Sequence, residues 1–143
     1  MTGPMVLDGK RLAEKRFDAE FHSELRSDER YASMTTLEQT EFEGRQCYKL
    51  RLVRKSGGED VEFYDVQTGL KAGTIATRET QMGPMSGTTV ETDYRKFGNL
   101  LHATTVRSTL GGQQQIITIT SIEFDNVPAS VFEPPASIKA LLK

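Results

Sequence analysis

From residue 31 onward the chain reads as one short apolar run after another, with almost nothing long enough between them to change direction slowly. MTTLEQTEF, RQCYKLRLVRK, EDVEFYDV, GLKAGTIATRET, TTVETDYRKF, LLHATTVRST and QQQIITITSIEF follow in order. In RQCYKLRLVRK, Tyr48, Leu50 and Leu52 fall on one side and Lys49 and Arg51 on the other, the period of two that a strand imposes. The links are Glu43-Gly44, Ser56-Gly57-Gly58, Gly98-Asn99, Leu110-Gly111-Gly112 and one longer loop, QMGPMSG. A parallel neighbour needs a crossover of a dozen or more residues, so links this short allow only antiparallel pairing. The expectation is a meander of about seven long strands over about 33–124, coiled strongly by their right-handed twist.

Before the strands the period is different. Ala13, Phe17, Phe21 and Leu25 stand four apart with charged residues between them, which predicts an amphipathic helix over about 9–26 with Asp8 as its N-cap. One apolar stripe needs a cover, and the concave face of a coiled sheet offers it. After the strands, NVPASVFEPPASIKALLK holds Pro128, Pro134 and Pro135 and cannot continue a sheet. Val127, Val131 and Phe132 are expected to plug one end of the core, and the stretch from Pro135 to Leu142 to form a short closing helix. The fold class expected is therefore α+β: a strongly curved, half-barrel-like antiparallel meander with an N-terminal helix on its concave face, in a single domain spanning 1–143.

Composition fits this picture and removes several function classes. The chain has 143 residues, 36% hydrophobic and 27% charged, which suits one sheet with a wet face. Net charge is −2 without a basic run, so nucleic acid is not an expected partner. No apolar run approaches the ~18 residues of a membrane span, and the N-terminal apolar stretch is too short for a signal peptide. Cys47 is the single cysteine, which rules out an internal disulfide; its place in an alternating run reads as a buried, inert thiol.

No constellation points to catalysis or to a cofactor. Glu59, Asp60, Glu62 and Asp65 lack the spacing of a calcium loop and read as a solvated strand face. Glu91 and Asp93 are expected to point away from Tyr94. His22 lies among charged helix residues, whereas His102, between Leu101 and Ala103, sits where a strand histidine can face a cavity; two histidines without partner spacing make no metal site. Gly57-Gly58 and Gly111-Gly112 open no helix and cradle no phosphate. In VEFYDVQTGLKAG, Asp65 and Gly69 are read as a hairpin bend, the aspartate accepting from the amides after it and the glycine taking a positive φ. Met82 and Met85, flanking Gly83-Pro84, are either cover for a sheet edge or an adaptable binding surface.

Four phrases in order, EFEGRQCYKLRLV, FYDVQTGLKAG, TDYRKFGNLL and IEFDNVPASVFEPP, cover about 41–135. Together they resemble the C-terminal half of bacterial outer-membrane lipoprotein-sorting-like envelope proteins, the LolA/LolB-like fold. The resemblance implies a half-barrel with helices on its concave side, an apolar concavity that accepts acyl chains, and a periplasmic or envelope location. Carriers of this kind have further strands where this chain has one helix, so the chain is read as a fragment of a longer protein or a reduced form of the fold. The expected function is non-catalytic binding of an apolar or lipid-like ligand, with Phe17, Phe21, Leu25, Met82, Met85 and His102 as candidate ligand contacts. The alternative is a structural or protein-docking module, partnered by another envelope protein, with a filled core and no small-molecule ligand.

Overall fold

The computed structural model describes residues 6–20, 23–80, 83–125 and 127–141. A helix, α1 (Gly9–Asp18), is followed by a 3-10 turn (Ser23–Arg26) and a single helical turn, α2 (Ser27–Arg30). The strands are β1 (Tyr31–Phe42), β2 (Arg45–Arg54), β3 (Glu59–Asp65), β4 (Lys71–Thr80), β5 (Gly83–Phe97), β6 (Leu100–Leu110) and β7 (Gln113–Thr118). A 3-10 turn (Ala129–Phe132) and a short helix, α3 (Ala136–Lys139), close the described chain. All seven strands lie in one open sheet in the order β1 to β7, each antiparallel to the next. This is the meander that the short links require.

The hairpin chemistry is local. At the β3–β4 bend, Asp65 Oδ1 accepts from the Gln67 and Thr68 amides at 2.9 and 2.8 Å and from the Thr68 hydroxyl at 3.0 Å. Gly69 then reverses the chain at φ 70°, a conformation that costs a side chain steric energy, and its amide donates to Asp65 O at 2.8 Å. The hydrogen bond from the Thr68 amide is the main reason the Asp65 carboxyl is held below its ordinary pKa. Asp65 thus caps the bend that the sequence predicts.

The sheet curls. Arg107 on β6 pairs with Glu43 in the β1–β2 turn, although four strand spacings of ~4.8 Å would set β6 roughly 20 Å from β2 in a flat sheet. On the same side, Arg45 on β2 donates to Glu91 O on β5 at 3.0 Å. Strand twist, accumulated over seven strands, makes a saddle. Each face therefore has its own hollow, at opposite ends of the strands. β2 records this by itself: Leu52 is buried on the side of α1, and Cys47, at the other end, is buried on the far side.

The hydrophobic core fills the far hollow. Phe42, Cys47, Phe63, Ala72 and Val90 form it, with Val61 packed alongside. Phe42 stacks on Phe63 at 4.0 Å with 8° between the rings. A bare backbone at Gly73 makes room, because a Cβ there would come within 2.2 Å of Thr89 O and 2.7 Å of the Phe42 ring.

Three expectations change. The helix expected over 9–26 stops at Asp18, and no residue of α1 is buried, so its stripe does not cover the core. Charges hold it instead, as described below. Val127, Val131 and Phe132 do not plug the core: all three are exposed, Phe132 to 76%. The core is made without them, by Phe42, Cys47, Phe63, Ala72 and Val90. Finally, Glu91 and Tyr94 do not point apart. Asp93 adopts φ 55° and breaks the alternation of β5, which brings the Tyr94 hydroxyl to 2.9 Å from Glu91 Oε2.

Candidate functional site

The hollow on the helix side is only partly covered. It is a cleft of about 610 Å³ between α1, α2 and the sheet. Leu50 and Leu52 on β2, with Tyr31 and Met34 on β1, give it an apolar wall; Thr89 on β5 and Ser108 and Leu110 on β6 close the opposite side. Cross-strand register puts these on one face: Met34 lies opposite Leu52, Thr74 opposite Thr89, and Thr89 opposite Ser108.

Charge anchors both ends of the apolar wall. Beneath α1, Arg54 grips Asp60 through Nε–Oδ2 at 2.8 Å and Nη2–Oδ1 at 2.6 Å, and both residues are almost wholly buried. Arg78 adds a second bond to Asp60 at 2.9 Å. The same two arginines hold the helix, Arg54 through Glu14 at 3.2 Å and Arg78 through Asp18 at 3.5 Å. Burial pushes the Asp60 carboxyl up, but hydrogen bonds from Arg54 and then Arg78 outweigh it and leave the group below its ordinary value. Burial, followed by repulsion from Asp60 and Glu62, raises the Tyr31 phenol.

Phe17 sits between cations. The Arg30 guanidinium lies 3.7 Å over its ring, Arg54 lies 5.1 Å away, and Tyr31 meets it edge-on at 5.9 Å. Toward the middle of the sheet, the Tyr64 hydroxyl donates to Glu62 at 2.7 Å, and Lys71 lies 4.0 Å from Glu62 and 3.6 Å from Glu91. The cleft is amphipathic: an apolar wall with an arginine–carboxylate cluster at one end and a lysine–carboxylate cluster at the other. Among the described residues, no group of histidine, cysteine and carboxylate side chains is arranged to hold a metal ion, and no helix is long and apolar enough to cross a membrane.

The candidate contacts separate. Phe17 is on the rim of the cleft. Phe21 and Met82 lie outside the described residues. Leu25, in the 3-10 turn, is 82% exposed and does not line the cleft. Met85 is on β5 opposite Arg78, its methyl over Gly111. His102 sits at the other end of β6 from Ser108 and Leu110, opposite Arg95, with Nδ1 2.7 Å from Ala103 O. Sequence reasoning missed Arg54, Asp60, Tyr31 and Met34. Reading the acidic run 59–65 as uniformly solvated is wrong for Asp60. The available signal was parity: Asp60 shares its face with Glu62 and Tyr64, and the four-residue link 55–58 sets Asp60 opposite Leu52 on that face.

No protein-family model matches the chain. A search of curated proteins likewise finds no match. Among solved structures, the chain is similar to the crystal structure of a domain assigned as an outer membrane lipoprotein-sorting protein from Vibrio parahaemolyticus. Identity is 16%, the TM-score is 0.47, and the match covers 72% of this chain and 48% of that one. The chain thus spans about half the length of that domain.

Proposed function

We propose that the protein is a non-catalytic binding protein whose helix-side cleft takes an amphipathic, lipid-like ligand. The observation that carries this reading is that α1 leaves the cleft open, with Met34 50% and Leu110 41% exposed on its two sides. Its volume lies within the ~300–1,000 Å³ of small-molecule sites. An apolar chain lies along Tyr31, Met34, Leu50 and Leu52, and its polar end meets the Lys71–Glu62 cluster. An open cleft favours this over a docking module with a filled core. The four-phrase sequence resemblance supports a place in the bacterial envelope, which fractionation of host cells tests.

Binding is tested with a fluorescent apolar probe, N-phenyl-1-naphthylamine, displaced by palmitate or lysophosphatidylcholine. Saturable displacement is expected. Met34→Asp with Leu110→Asp should weaken it about tenfold or more, because each buried apolar side chain contributes roughly 1.5–3 kcal/mol. Both residues are exposed in the free protein, so the thermal midpoint should hold. Absence of saturable binding, or binding indifferent to the double substitution, would overturn the reading.

A further inference from the structure

The two edges of the sheet are built differently. β1 carries Glu38 and Glu41 and two register shifts, at Tyr31/Ser33 and Thr36/Glu38. Charges and bulges of this kind keep an edge strand from pairing with another chain. β7 has neither. It pairs with β6 on one side only, all six of its residues are exposed, and no charged residue occurs anywhere in 108–122. An edge without charge, proline or bulge is a template for one more strand.

We propose that β7 pairs antiparallel with β7 of a second copy of this chain, joining two sheets into one across a two-fold axis. An axis normal to the sheet keeps each face on its own side, so residues of equal parity meet. Centred on Ile116, this sets Ile116 against Ile116 of the partner subunit and Gln115 against Ile117 of the partner subunit. Ile116 and Ile117, 59% and 47% exposed on opposite faces, each gain an apolar or amide neighbour. The chain carries net charge −2, yet the uncharged segment lets two copies meet without like charges at the seam. A six-residue ladder alone falls short of the ~1,000 Å² of a lasting interface. Phe124, Val127, Val131 and Phe132 follow β7 in the chain and are exposed; in the proposed dimer they add the further apolar area.

Sedimentation equilibrium at micromolar concentration should give twice the 16.0 kDa chain mass. Ile116→Lys should give the single-chain mass with an unchanged circular dichroism spectrum, whereas Leu37→Lys on the β1 edge should stay dimeric. Oxidised Ile116→Cys should run as a covalent dimer on a non-reducing gel, and this variant decides the matter if the lysine variant does not fold. A wild-type monomer, a dimer that survives Ile116→Lys, or failure of Ile116→Cys to cross-link would overturn the proposal.

Discussion

Asp60 is nearly inaccessible yet charged, and its energetics follow from its two arginines. Its folded pKa lies below the ordinary 3.8, so the stabilisation is complete above that value and is lost as pH falls through the lower folded one. Asp60→Asn should cost about 3–5 kcal/mol at neutral pH, because Arg54 stays buried with Glu14 as its remaining counter-charge and loses the carboxylate it grips through two hydrogen bonds. The gap between wild type and variant should narrow as denaturation is measured progressively below pH 3.8. A gap independent of pH down to full acid unfolding would show that the carboxylate is not what stabilises the site. The two glycines at special positions differ in kind. Gly69→Val should cost about 1–2 kcal/mol through its positive φ alone and leave ligand affinity unchanged. Gly73→Ala meets backbone and a stacked ring, so the chemical-denaturation midpoint should fall further than its single methyl would suggest.

At the scale of elements, α1 is held by polar and cation–π contacts rather than by burial. Phe17→Ala should therefore speed hydrogen exchange of α1 amides and leave those of β2 to β5 as they were; protection lost throughout the sheet would contradict this. The strands were legible because alternation and turn residues are local properties, and residues 43–44, 65–69 and 111–112 carry their hairpin signals in a few letters. The helix start was legible for the same reason. Its end and its partner were not: Phe17 looks like one more apolar residue in a stripe, and only the fold brings Arg30 and Arg54 to its ring. The burial of Asp60 was equally hidden, because a run of acidic residues reads as wet until register sets Asp60 opposite Leu52. The tail misled for a further reason. Valine and phenylalanine beside prolines look like a plug, but the hollow they would enter is already filled from β1 and β3 by Phe42 and Phe63.

For the molecule as a whole, every strand pairs only with its sequence neighbours, and the long-range order lies in the curl. The Phe42–Phe63 stack is at the core of the far hollow and Phe63 is buried, so Phe63→Ala should cost about 3–5 kcal/mol by chemical denaturation. An expense below ~1 kcal/mol would mean that the far hollow collapses without harm. Curvature of this sort is not written in any one strand; it accumulates from small twists and shows only in meetings such as Arg107 with Glu43. The sole cysteine belongs to the same core as that stack and is fully enclosed, with burial raising its thiol pKa. It is a native clock for the molecule's breathing: the rate at which a thiol reagent modifies Cys47 measures how often the core it shares with Phe42, Phe63, Ala72 and Val90 opens, with no label to introduce.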